Sequence, residues 1–442
     1  MDENIRLKKL KSLEFYVENS THNEVDIEFD AVRSFNTFSE SGIAIRTLEN
    51  EGHLGFSYST DLSKNSIEHL IDRSIISSKM TEKIPDNYDF ADSYDKPPEV
   101  GDIYDANVPD SDENDLVPQI EGVIEGIKSK EIRFDKFILS TKLQNKHLYN
   151  SNETDYNYKE TFIQVRFLLS SSNSFINRIF AYRKFDLELI RKDINDAAET
   201  LKLYNKLPRR VVEQTKTMMI FHPYAFAWIL SCILSTVINA EAFLNYDTYL
   251  ELNKKFVSNN MMLIDDGSLE GGLLSRPVDG EGFPTKKTTI IDKGIFVKPI
   301  SNNYWANIKN FENTSNSARM NFRSPPYLSV TNLIFDIEDQ KADIGEIFNL
   351  ENTGIYVLNL FPDPTKLNMK TGEYLFNVTE ACCIENGEIK AFLKPFLLAG
   401  NAKDLLSNIR LCSKESLGNL GVICPYVNVS DMPVIPINHL RQ

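Results

Sequence analysis

The 442-residue sequence lacks the short motifs that usually announce an enzyme. Gly267, Gly271 and Gly272 do not form G-x-G-x-x-G, and no lysine follows them where a phosphate-binding loop needs one. No G-x-S-x-G nucleophile elbow is present. The six histidines are scattered, with no H-x-x-x-H or H-E-x-x-H pair. A zinc hydrolase needs two or three nitrogen or sulfur ligands converging on one ion and a carboxylate to handle the proton of its water. Neighbours on one helix supply these most simply, and here they are missing. His222, alone before a proline at a strand end, reads as a turn residue. Cysteine is scarce as well: Cys232, Cys382, Cys383, Cys412 and Cys424 are odd in number and irregularly spaced. That pattern suits reduced thiols in a cytoplasmic protein better than a disulfide frame. Positive charge is in deficit, with 48 Lys and Arg against 63 Asp and Glu for a net −15. Such a background argues against a nucleic-acid or anionic-membrane partner. The first ten residues have no apolar core of a secretory signal.

Long hydrophobic runs are also wanting, save one. Tyr224 to Ala240, YAFAWILSCILSTVINA, is uncharged and follows His222-Pro223. As a helix it would measure roughly 25 Å, short of the ~30 Å hydrocarbon core of a bilayer. It carries Ser231, Ser235, Thr236 and Asn239, and no basic cluster flanks it to set an orientation. It reads as a buried helix over 223–243 and not as a membrane span.

Around that helix the chain reads as α+β, with N-terminal units of antiparallel sheet plus helix followed by a largely β, barrel-like C-terminal domain. A first helix is expected over 4–18, from Ile5, Leu7, Leu10, Leu13 and Phe15. A strand follows at 25–29, then a hairpin of 42–48 and 53–58, then a helix N-capped by Ser63 with Ile67, Leu70, Ile71 and Ile75 on one face. Residues 1–83 thus form one unit. Residues 84–118 carry eleven Asp or Glu against Lys96 alone, a net −10, and five prolines. This is an acidic boundary segment, expected on the surface. Its Asp102, Asp105 and Asp110 lack the D-x-D-x-D-G order of a calcium loop. Residues 119–206 repeat the pattern, with a helix near 118–129, strands at 134–143, 161–169 and 175–182, and a helix opened by Asp186. Residues 207–442 begin with a strand at 217–221 and the apolar helix. Short runs broken by Gly and Pro then suggest a curved sheet or barrel.

That last region holds a string of signatures: Asp279-Gly-Glu-Gly-Phe-Pro284, Asp292-Lys-Gly294, Thr314-Ser-Asn-Ser-Ala-Arg319, Thr371-Gly372, Ile384-Glu-Asn-Gly-Glu388 and Ala399-Gly-Asn401. Singly each is a turn, and Asn386-Gly387 is a hairpin signal. In this order they resemble the TldD/PmbA family, whose members are also called TldE or modulators of DNA gyrase. Ser41-Gly-Ile-Ala-Ile-Arg46 followed by Gly55-Phe-Ser-Tyr-Ser-Thr60 resembles the family's N-terminal hairpin. The resemblance runs from about residue 24 to the C-terminus. Ser315 stands where the family more often has glycine.

The resemblance implies a relation to metallopeptidases. TldD-like members place H-E-x-x-x-H on the helix that aligns with 223–243, with a cysteine near the C-terminus as a further zinc ligand. The histidine positions fall at Ser231 and Thr236, with Cys232 at the glutamate position and Cys412 near the C-terminal cysteine. The chain is therefore similar to the TldE/PmbA side of the family, which lacks the metal. This implies no cofactor in this chain, zinc in a TldD-like partner, and a shared chamber for peptides or unfolded proteins. Asp279, Glu281, Arg319 and Asn401 are candidate peptide-cleft residues. Arg319 could hold a carboxylate, or form a structural ion pair with Asp279 or Glu281. A homodimeric, non-enzymatic peptide-binding or regulatory protein is the alternative, and a free-standing hydrolase using Asp/Glu pairs or a cysteine nucleophile, Cys412, is a third.

Overall fold

The computed structural model describes residues 9–437, apart from 30, 96–97, 109–112, 130, 173, 214, 246–247 and 351. The expected first helix is in fact a strand. Leu10–Glu28 (β1) pairs with Ala31–Glu49 (β2) on one side and with Arg133–Asn150 (β4) on the other. Leu13, Phe15 and Val17 alternate with buried Ser12, Glu14, Tyr16 and Glu18. Both faces are covered, and one of them is polar, so the apolar residues alone mimicked a helical spacing. Ile5 and Leu7 lie outside the described residues, as do Asp110 of the acidic segment and the last histidine, His439.

Leu54–Ser59 (β3), Asp155–Ser170 (β5) and Phe175–Tyr182 (β6) complete a six-stranded antiparallel sheet in the order β3-β2-β1-β4-β5-β6. The units read separately at 1–83 and 119–206 thus contribute three strands each to one sheet. Helices Lys64–Ser78 (α1), Glu113–Ile127 (α2) and Leu187–Lys206 (α3) cover one face. Two of their starts follow the sequence signals. The Ser63 side chain accepts from Ser66 N–H, and Asp186 accepts from Glu188 and Leu189 N–H. α2 begins five residues earlier than expected, with Pro118 inside it. Gly55 lets α1 approach, since a Cβ there would stand 2.0 Å from Ser74 O.

The acidic segment is not a surface linker throughout. Tyr88, Phe90, Ala91, Ile103 and Val108 are buried, and Tyr88 and Phe90 pack with Leu48 and Ile84. The segment carries aromatic anchors on an acidic chain, and the anchors decide its path.

The C-terminal region closes a five-strand barrel. Its ring is Lys216–Phe221, Thr353–Phe361, Glu373–Glu385, Phe396–Asn401 and Val422–Pro436, each pairing with the next and the last with the first. The apolar helix Pro223–Leu234 (α4) shares its core, with Phe226, Ile229, Leu230 and Ile233 fully buried beside Val357, Val378 and Val427. It is shorter than expected. It stops at Leu234, a turn follows, and a second short helix runs Ala240–Asn245. Ser235 Oγ donates to Ser231 O, and Asn239 Oδ1 caps Ala242 N–H at 2.7 Å. Polar side chains that bond to the backbone compete with the helix ladder. Among the described residues no helix is long and apolar enough to cross a membrane.

Candidate functional site

The sheet face opposite the helices carries charge, and its register decides which charges meet. β1 pairs Glu14 with Arg46 of β2 and Glu18 with Lys146 of β4, while Tyr16 sits between Ala44 and Leu148. β4 in turn sets Lys146 opposite Tyr158 of β5. These residues are cross-strand neighbours on one face, so their side chains lie side by side.

Two loops of the C-terminal region close over this face. In Asp279–Pro284, the Asp279 carboxylate accepts from Glu281 N–H (2.9 Å) and Phe283 N–H (3.0 Å) through one oxygen, and from Ser317 N–H (3.1 Å) through the other. It therefore ties this loop to the loop bearing Arg319. Gly280 passes so near that a Cβ would lie 2.9 Å from Ala318 C. Glu281 accepts from Asn303 N–H at 2.9 Å, and from Arg46 Nη1 and Tyr88 OH at 3.3 Å. Arg46 grips Glu14 with two bonds of 2.8 and 2.6 Å. Arg319 reaches the same carboxylate through Nη2 at 2.5 Å, donates Nε to Gly280 O at 2.7 Å, and lies over the Tyr16 ring at 4.6 Å. One carboxylate, Glu14, thus holds two guanidinium groups. The seam is closed further by Phe322, whose ring lies where Gly42 leaves space.

Burial and the nearby Glu281 charge push the Asp279 carboxyl up to about 7. On the neighbouring strands, Glu160 joins Lys146 and Arg183 Nη1, and those cations, offsetting its burial, hold it down to about 2. A cavity of about 20 Å³ remains, lined by Tyr16, Lys146, Leu148, Tyr158, Arg276, Val278, Asp279, Gly280 and Arg319.

Of the residues chosen from sequence, the structure brings Asp279, Glu281 and Arg319 together. Asn401 makes no contact with them. Its Oδ1 caps Ala402–Ser407 and its Nδ2 donates to Thr371 O at 2.7 Å, which joins the Thr371-Gly372 and Gly400-Asn401 turns. Arg319 pairs with neither Asp279 nor Glu281 but with Glu14. Glu14, Tyr16, Tyr88, Lys146 and Arg276 were missed. The signal for the first two lay in the alternation of Leu13, Phe15 and Val17 with Glu14, Tyr16 and Glu18, which is that of a strand with a charged inner face. Ser315 keeps a left-handed backbone (φ 58°), with its N–H bonded to Asn313 Oδ1 at 2.9 Å. The conformation glycine would favour is present without glycine.

The second candidate place is α4. Its start is capped by His222, whose Nδ1 accepts from Tyr224 N–H at 3.0 Å. Burial, and then Arg178, push that imidazole down to about 3. Ser231 and Cys232 are half-buried on the helix, whereas Thr236 is exposed in the turn after it. Burial pushes the Cys232 thiol up to about 11 and the Cys412 thiol, inside the core, up to about 12. Nucleophilic attack requires thiolate, which burial disfavours at both thiols. Cys424 Sγ spends its proton on Pro223 O at 3.4 Å. Among the described residues no three His, Cys, Asp or Glu converge as a metal site. Ser231, Cys232 and Thr236 bring one thiol to this stretch and no imidazole or carboxylate.

Two family models match the chain: the PmbA/TldA metallopeptidase C-terminal domain over residues 214–436, and domain 1 of the same family over 13–78. An uncharacterized protein of Methanocaldococcus jannaschii is 25% identical over 407 residues, covering 90% of each chain. A Buchnera aphidicola protein named Metalloprotease TldD homolog is 26% identical over 164 residues, or 37% of this chain and 33% of that one. The crystal structure of TldE from Thermococcus kodakarensis superposes with a TM-score of 0.84 over 98% of both chains at 20% identity, a likeness of fold. With its C-terminal half and first domain both matched in order, the chain belongs to the PmbA/TldA (TldD/PmbA) metallopeptidase family.

Proposed function

We propose that this chain is the non-metal, TldE/PmbA-like subunit of a TldD/TldE-type metallopeptidase acting on peptides or unfolded proteins. The observation that carries the reading is α4. It lies on the strand-then-proline position where the family resemblance sets a metal helix, yet it is built as core: Phe226, Ile229, Leu230 and Ile233 are fully buried, and Ser231 and Cys232 offer neither imidazole nor carboxylate. Zinc then resides in a TldD-like partner, and this chain needs no cofactor of its own. All five cysteines are free, in keeping with a cytoplasmic setting.

The chain's contribution is to hold peptide within a chamber shared with that partner. The sheet offers a ready means. β3 pairs with β2 only from Ile43 to Leu48, so the stretch from Ala31 to Gly42 has an outer edge that no described strand occupies. An extended peptide can add to such an edge through backbone hydrogen bonds. Co-purification at native expression tests the pairing. A zinc-bearing TldD-like chain is expected to co-elute with this one, and peptidase activity is expected only in the pair. A homodimer that binds peptide with no such chain in the same fractions would replace this reading with the non-enzymatic one.

A further inference from the structure

We infer that the free edge of β2 selects an uncharged, extended stretch of unfolded polypeptide with large apolar side chains at positions i and i+3. The inference deepens the peptide-holding reading and rests on it for the kind of ligand.

The edge has a defined window. β3 ends at Ser59, opposite Ile43, while β2 runs on outward to Ala31. Among the described residues, the backbone of Ser34 to Ser39 makes no hydrogen bond outside the ladder with β1. In a strand paired on one side only, alternate N–H and C=O groups point outward and accept another strand. Charge marks both ends of the window. At the inner end Arg323 holds Glu40. At the outer end Arg33 reaches Glu28 at 3.6 Å, where the pairing with β1 slips between Asp26 and Ile27. Between these ends Ser34-Phe-Asn-Thr-Phe-Ser39 carries no charge, no proline and no bulge. Those are the devices by which exposed edges are commonly guarded. Their absence leaves roughly 20 Å of edge, at about 3.4 Å per residue, open to an extended chain.

The two phenylalanines set the spacing. Three positions apart on a strand, they lie on opposite faces. Phe38 is on the face that carries the seam, opposite His22 with ring centroids 6.0 Å apart, and it is 57% exposed. Phe35 is on the helix face, opposite Val25, where it and Val32 pack half-buried against the core under α2 and α3. Residues directly opposite across a strand pair share a face, and aromatic or β-branched pairs there are favourable. A chain laid along this edge therefore meets Phe38 with one side chain and Phe35 with another three positions away on its other face. Ser34, Asn36, Thr37 and Ser39 offer no counter-charge, so a charged residue between those two gains no ion pair. Folded proteins bury much of their apolar sequence, and unfolded polypeptide is the form that presents such stretches.

The test uses the full chain and fluorescence anisotropy of labelled Ser/Thr peptides. One carries Phe at positions i and i+3, a second carries Phe at i and i+2, and a third is the first with Asp at both positions between the aromatics. The i, i+3 peptide is expected to bind about threefold tighter than the i, i+2 peptide, and the Asp peptide to bind less tightly than the i, i+3 form. Two more forms of the first peptide carry N-methyl groups on alternate amides, one form for each phase. One phase is expected to lose about tenfold or more and the other to stay within about twofold, because only alternate N–H groups face the edge. Phe38→Ser changes an exposed side chain, so Tm should hold while the i, i+3 peptide weakens by about threefold. Equal effects of the two N-methyl phases overturn strand addition at this edge. Equal affinity for the i, i+3 and i, i+2 peptides overturns the spacing. A dimer in sedimentation that Phe38→Ser dissolves makes a second copy the occupant and overturns the inference. The expected selection with no TldD-like chain co-eluting keeps the edge and overturns the subunit reading.

Discussion

The seam and the α4 core are both largely buried, yet they are stabilised in opposite ways. At α4 the enclosed groups are apolar, or neutral groups that bond to backbone, such as Ser235 to Ser231 O and Cys424 to Pro223 O. At the seam, Glu14, Arg46, Glu281 and Arg319 are all buried and charged. Apolar packing tolerates exchange of one hydrophobic residue for another of like size. A buried charge network does not tolerate loss of a member, because the remaining charge is left without solvent or partner. A protein that needed only a stable interface could have used the first solution twice. The seam therefore depends on keeping all four charged members together.

Removing the shared carboxylate separates the two regions most sharply. Glu14→Ala leaves Arg46 and Arg319 facing each other and is expected to destabilise the fold by about 3–5 kcal/mol. Leu230→Ala in α4 is expected to cost about 2–5 kcal/mol through a cavity. Leu230→Met, by contrast, should cost less than about 1.5 kcal/mol, whereas Glu14→Gln should stay near the Ala value. Urea unfolding of the four variants measures this. A Glu14→Gln as mild as Leu230→Met would erase the distinction.

The comparison also predicts opposite pH responses. His222 at α4 is a base whose folded value, about 3, lies below its ordinary 6.5. Between those values the unfolded chain binds the extra proton. Its contribution to stability is present above about pH 6.5 and is lost as pH falls toward 3. Asp279 at the seam is an acid raised from 3.8 to about 7. Between those values the folded chain holds the extra proton, so this contribution favours the fold as pH falls. His222→Asn keeps a capping acceptor and removes the titration. It is expected to flatten the fall of Tm between pH 6.5 and 4. Asp279→Asn should steepen the same fall, provided the loop's N–H bonds to the remaining oxygen persist.

The smallest expected effect lies at Ser315, which holds φ 58° without being glycine. Ser315→Gly is expected to stabilise by up to about 1 kcal/mol, less the entropy glycine adds to the unfolded chain. A loss of stability would mean that the Ser315 side chain matters more than its backbone strain.

Much of this was legible in the sequence. Caps at Ser63 and Asp186, the hairpin before Tyr58 and the barrel-like C-terminal region depend on local patterns, and local patterns are written in the chain. The candidate loops were legible as motifs, which is why Asp279, Glu281 and Arg319 could be chosen. What could not be read was long-range. Glu14 meets Arg319 across 305 positions, and no pattern near either residue announces the other. β1 was misread because a strand buried on both faces, one of them charged, departs from the usual apolar-polar contrast. The acidic segment was read by its charge, while its path is set by Tyr88 and Phe90.

The central claim is that α4 is core and that this chain carries no metal site of its own. Elemental analysis of the purified chain, alone and paired with a TldD-like partner, tests it most directly. Zinc far below one equivalent in the isolated chain, with about one equivalent in the pair that stays with the partner on separation, is the predicted result. One equivalent of zinc retained by this chain alone through gel filtration, and lost in a Cys412→Ser variant, would contradict it.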